Sequence, residues 1–181
     1  MFREFKDIVS YIRNNESGIA GDIYVGSRFL IARNCNPFFK AAFEKERPVK
    51  ANVVRLAIVG WCEPVIGLKK YRCTAGDMLF LNWGVAVEAD NFGVDSSFDC
   101  ILMTEAYLKT IFGGRPPERF LSPDLCFSIH TTEQEQVVGR QFMETLYNLA
   151  HLDSVNDSTL DMLFASTLRF AESLYSSRTV F

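Results

Sequence analysis

The hydrophobic period of this chain changes twice, and these changes constrain its fold more than any single motif does. From Asp22 to Thr104 the apolar residues come in short runs, at 23–25, 29–32, 53–61, 78–81, 85–87 and 98–104. The runs are rich in Val, Ile, Phe and Tyr. Turn-forming residues separate them: Glu63-Pro64, Ala75-Gly76-Asp77, Asn82-Trp83-Gly84 and Asp90-Asn91. Closely spaced strands with turns between them predict an antiparallel sandwich or barrel rather than βαβ units. The 16 phenylalanines suit a core built between sheets or between a sheet and helices.

After His130 the period becomes helical. Thr132 followed by Glu135 is a capping-box pattern, and Val138, Phe142, Leu146 and Leu149 form one apolar stripe behind it. Residues 153–157 read as a polar turn. A second helix begins near Ser158, with Leu160, Leu163, Phe164, Thr167, Ala171, Leu174 and Tyr175 along one side. Met162, Leu168 and Phe170 lie off that stripe, so this helix is expected to be covered on more than one side, by its own sheet and by a second copy of the chain. Leu160, Leu163, Phe164, Thr167, Ala171 and Leu174 are the residues assigned to that pairing. At the other end, Phe2, Phe5, Ile8, Val9 and Ile12 recur at helical spacing among charges, which predicts a short amphipathic helix or an arm folding onto the body. Residues 105–112 read as one or two helical turns ended by Gly113-Gly114, with a breaker at 115–117 and an extended return at 120–128. The chain therefore divides into an arm or helix at 1–21, a β region at 22–128 and a two-helix segment at 129–178, with a linker starting at 179–181. The fold class is mainly β with C-terminal helices, α+β.

The residues carry few marks of enzyme chemistry. His130 and His151 are the two histidines, and neither has a ligand-type side chain three or four residues on its C-terminal side apart from Glu133 after His130. No GxSxG, GxxxxGK[ST] or GxGxxG pattern occurs. No catalytic residue, metal ligand or cofactor is assigned. A net charge of −3 and a pI near 5.5 leave no basic face for nucleic acid. Lys40, Lys45, Arg47 and Lys50 are interrupted by Glu44 and Glu46 and read as a solvated loop or strand edge. The five cysteines (Cys35, Cys62, Cys73, Cys100, Cys126) are spread singly in apolar runs, as expected of reduced, buried thiols in a cytoplasmic protein. No stretch is long and apolar enough for a membrane span, and residues 1–16 do not read as a secretory signal.

One segment is more specific. Residues 75–91, with Gly76, Gly84 and Asn91 in register, resemble the second cupin motif: a Gly-Asp turn into a strand, then a tight Gly turn into the next. Asn82 stands where the motif has Pro, and Val87 where it has the metal-binding His. No His-x-His occurs between Val53 and Tyr71. This is similar to a cupin-type jelly-roll barrel without a metal. Such a barrel followed by an antiparallel helix pair resembles the N-terminal domain of AraC-family transcription regulators. The resemblance implies a bacterial, cytoplasmic homodimer whose barrel senses a small-molecule effector, whose N-terminal arm covers the pocket, and whose DNA contacts come from a C-terminal helix-turn-helix region outside this chain. On it, residues 176–178 read as the approach to an interdomain linker. The pocket candidates are Trp61, Tyr71 and Trp83, whose rings stack on sugars or aromatic effectors, and Arg55, which suits a carboxylate or hydroxyl. Arg55 alternates with Val54 and Leu56 and points either to solvent, the default expectation, or into the barrel; one residue of register decides which. Phe80 reads as core. The alternatives are a small cupin enzyme (isomerase or dioxygenase), which predicts bound metal, and a cyclic-nucleotide-binding domain, whose Gly-Glu turn and following Arg are missing from Phe92-Gly93-Val94-Asp95.

Overall fold

A computed structural model describes residues 4–37, 48–89, 91–93 and 95–179. The basic stretch at residues 40–47 and Phe2 lie outside the described residues; Lys50 is exposed. Helix α1 (Phe5–Asn14) comes first. The strands are β1 (Asp22–Val25), β2 (Phe29–Cys35), β3 (Val49–Lys50), β4 (Val54–Ile58), β5 (Val65–Ile66), β6 (Lys69–Lys70), β7 (Met78–Leu81), β8 (Ala86–Ala89) and β9 (Phe98–Met103). Helix α2 (Glu105–Ile111), strand β10 (Cys126–Ile129) and helices α3 (Glu133–Ala150) and α4 (Asp157–Thr179) complete the chain.

The strands form two antiparallel sheets among the described residues. The larger has the order β1-β2-β9-β4-β7-β10 and the smaller β3-β8-β5-β6. The expected jelly-roll barrel is not closed. No strand is shared between the sheets, and three strands of the smaller one are two residues long, too short to carry a ladder around a corner. The chain passes from the large sheet to the small one at the Asn82-Trp83-Gly84 turn predicted from the sequence. Asn82 is fully buried there; its side-chain amide donates to the carbonyls of Phe120 (2.8 Å) and Ser122 (2.7 Å). Gly84 is required at this point, because a Cβ would stand 2.7 Å from the Pro123 carbonyl oxygen.

The period-2 alternation of the large sheet sets everything that follows. One face, with Ile31, Leu56, Ile58, Phe80, Ile101 and Met103, packs on the helices; Tyr107, Leu108, Met143, Leu146, Phe164 and Leu168 supply the other side of that core. Each fully buried side chain of this kind contributes about 1.5–3 kcal/mol. Helix α3 starts at the predicted capping box: Thr132 Oγ1 accepts from the Glu135 amide (3.2 Å) and the Glu135 carboxylate accepts from the Thr132 amide (2.9 Å). Its inward face is Gly139, Met143 and Leu146, so the predicted stripe of Val138, Phe142, Leu146 and Leu149 is turned by part of a step.

Much of the stripe assigned to pairing on α4 packs within the chain. Phe164, Thr167 and Ala171 are buried, and Leu160, Leu163 and Leu174 are half-buried against the same helix-side core. The off-stripe Leu168 is buried too, because α4 packs on α2, α3 and β10 together, which occupies more than one of its sides. Met162 remains 68% exposed. Helix α4 continues through residues 176–178, which the sequence reading had placed at the approach to a linker. Four of the five cysteines are buried, and no disulfide joins them among the described residues.

Candidate functional site

The opposite face of the large sheet looks toward the smaller sheet and α1. Leu30, Ala32, Cys100 and Leu102 meet Phe5, Ile8, Val9 and Ile12 of α1, as the N-terminal periodicity predicts. Leu79 and Leu81 meet Val59, Cys62, Ile66, Cys73 and Val85 beneath the smaller sheet. Between these two clusters the sheets do not meet completely. A cavity of about 150 Å³ remains, roughly what a benzene ring requires.

The strand register builds this cavity. On β4, Arg55 pairs with Leu81 of β7 and Leu102 of β9, and Ala57 pairs with Leu79 and Cys100. These six side chains form its floor. Ile66 and Val87 of the small sheet, with Pro64 and Phe92, form its roof, and Ile8 of α1 stands at one end. An N-terminal element against the pocket is what the resemblance implied, here as a helix. The glutamate before α1 is tied to the loop before β4: the Asn52 side-chain amide donates to the Glu4 carboxylate (3.2 Å).

Arg55 lies among these apolar groups, not in solvent. The default expectation had the opposite face; Val54 and Leu56 take the helix side, so the residue between them faces inward. Its Nε and Nη2 atoms are buried and have no hydrogen-bond partner among the described residues. Burial pulls its guanidinium down to about 10, which leaves it a cation at neutral pH. The titratable groups acting on it are the thiols of Cys126 and Cys100, and burial pushes both up, so neither is a thiolate that would neutralise it.

The three aromatic candidates lie elsewhere. Trp61 is 50% exposed at a turn. Trp83 leans on the helix-side core. Tyr71 packs at the edge of the cluster under the small sheet, with the Lys69 ammonium 4.9 Å from its ring centroid; burial, and a hydrogen bond with Cys126, raise its phenol. None of the three is among the lining residues, so the structure brings Arg55 together with aliphatic side chains instead of with these rings. Sequence reasoning missed Ala57, Leu79, Leu81, Cys100 and Leu102. The available signal was the two-residue alternation already used for Arg55, extended to the neighbouring strands.

Val87, at the position of a cupin metal ligand, is part of the roof. Among the described residues no group of three or more His, Cys, Asp or Glu side chains comes close enough to hold a metal. His130 is engaged otherwise: its Nδ1 is 2.7 Å from a carboxylate oxygen of buried Asp77, which also accepts from the amides of Thr74 (2.9 Å) and Thr131 (3.2 Å). That hub ties the turn before β7 to the entry of α3. His151 caps the C-terminal end of α3, with Nδ1 2.8 Å from the Tyr147 carbonyl oxygen. A second cleft, of about 280 Å³, lies between the β1–β2 turn and the α3–α4 loop; Asp153, Asn156 and Asp157 make it polar.

No protein-family model matches the chain, and no curated protein sequence does. Among solved structures, apo ToxT from Vibrio cholerae is similar over 91% of this chain and 58% of its own, at 11% identity and a TM-score of 0.49. The AraC-like transcriptional activator CuxR is similar over 93% of this chain and 65% of its own, at 6% identity and a TM-score of 0.49. ToxT bound to an unsaturated fatty acid is similar over 72% of this chain and 49% of its own, at 13% identity and a TM-score of 0.40. The chain thus spans less than two thirds of the length of each.

Proposed function

We propose that this chain is the effector-sensing domain of an AraC-type transcription regulator, that the cavity between its sheets is the effector site, and that it acts on a helix-turn-helix DNA-binding region outside this chain. The observation that carries the reading is the cavity itself. It is an apolar cleft between the sheets, partly open, and several times larger than a water molecule, where sheets packed face to face normally leave little space. Two further observations support it. The cupin-like turn at Asn82-Trp83-Gly84 carries the chain between the sheets, and the position where that motif holds a metal ligand carries an apolar wall residue, Val87. The lining thus suits holding a small apolar molecule. Helix α1 covers one end, and α3 packs across β2, β9 and β4 on the reverse of the same sheet. A guest that spreads the sheets therefore pushes on elements that reach the C-terminal helices.

The test is binding by the purified chain. Small apolar solutes such as benzyl alcohol or octanol are expected to raise its melting temperature in proportion to the logarithm of their concentration. Ala57→Phe, which fills the floor, is expected to abolish that response while the far-ultraviolet circular dichroism stays native. A response unchanged in Ala57→Phe refutes the cavity as the site.

A further inference from the structure

We infer that the cavity between the sheets takes a small monocarboxylate with an apolar body, its carboxylate seated on Arg55. The inference rests on the reading of that cavity as a ligand site and adds the chemistry of the ligand. Of the fifteen lining residues among those described, fourteen are Ala, Val, Leu, Ile, Pro, Phe or Cys, and Arg55 is the one of them that carries a charge. A guanidinium presents five N–H donors in a rigid fork, and here Nε and Nη2 are buried without a partner among the described residues. A buried cation left unpaired is costly, and a carboxylate meets two of its donors at once.

The chain does not supply that anion from the facing strand. Val87 points into the cavity, so its neighbour Glu88 stands on the other side of β8, and the buried Oε2 of Glu88 has no hydrogen-bond partner among the described residues, Arg55 included. The floor neighbours Leu81 and Leu102 and the roof residues Ile66 and Val87 are aliphatic, which favours hydrocarbon beyond the anionic end. A phosphate dianion would bring a second charge to a site that has one cation and no other charged lining group among the described residues. The volume of about 150 Å³ limits the body to about the size of a benzene ring, or to a short alkyl chain that enters in part.

Calorimetric titration of the purified chain with benzoate and octanoate, against benzyl alcohol and octanol, tests this. The acids are expected to bind at least tenfold more tightly than the matching alcohols. Arg55→Met is expected to erase that preference while keeping the alcohols, and Arg55→Lys to restore part of it; retained alcohol binding shows that the variant cavity is intact. Equal binding of acids and alcohols by the unaltered chain overturns the inference and leaves the cavity as an effector site. A preference for acids that survives in Arg55→Met overturns it too, because the anion then sits elsewhere. Binding of neither class overturns both the inference and the reading of the cavity beneath it.

Discussion

Replacing Arg55 by methionine should make the empty protein more stable. Burial draws the guanidinium below its ordinary range to about 10, and at 1.36 kcal/mol per pH unit, discounted because the residue as a whole is only half-buried, this is an unfavourable charge of about 2–3 kcal/mol in the folded state. Methionine keeps most of the aliphatic stem and leaves out the charge. Allowing for the lost contacts of the remaining stem atoms, the gain should be about 2 kcal/mol, or roughly 5 °C in Tm for a chain of this length. The sign with pH is specific. A lowered basic group binds fewer protons folded than unfolded from about pH 10 upward, so its cost is relieved only there and is constant below it. The difference between Arg55→Met and the parent chain should therefore be flat from pH 6 to 9. Urea unfolding followed by tryptophan fluorescence at several pH values measures it. An Arg55→Met variant less stable than the parent would refute the reasoning, because it would mean that Arg55 is already paired.

Other substitutions probe the frame around the site. Asn82→Ala strands the Phe120 and Ser122 carbonyls and should cost about 2–3 kcal/mol, read from urea midpoints. Phe164→Ala should cost about 3–5 kcal/mol without changing the molecular mass in solution, since the ring packs inside its own chain; sedimentation together with thermal unfolding separates the two effects. Thr132→Ala removes the cap of α3 and should lower stability by about 1 kcal/mol in the same unfolding assay. Leu68 holds a left-handed backbone (φ 66°) while 90% exposed, so Leu68→Asn should stabilise the β5–β6 turn by about 1 kcal/mol, visible as a higher Tm.

The elements with a strong period were legible in the sequence. The runs at 78–81 and 98–104 became β7 and β9, the capping box at Thr132 opens α3, and the N-terminal stripe is α1. The two-residue strands β3, β5 and β6 were not legible, because two residues display no alternation and their pairing is decided by partners distant in sequence. Closure of a barrel is likewise a property of strand length and register across the whole sheet, which a motif at Gly76 and Gly84 does not carry. The site shows the same division. Arg55 stood out as a charge in an apolar strand, but which face it occupied depended on one residue of register. Trp61 and Trp83 stood out by residue type near turns, and tertiary packing put them away from the cavity. The stripe on α4 was legible as apolar, and Phe164, Leu168 and Ala171 pack into the helix-side core of the same chain.

The most direct test of the account is a crystal structure of the chain soaked with benzoate. The account predicts a ring between the two sheets, against Leu81 and Val87, with both carboxylate oxygens about 2.7–2.9 Å from the guanidinium of Arg55. An inter-sheet cavity that stays empty while benzoate occupies another site, or an Arg55 already ion-paired with a carboxylate of the protein, would contradict it.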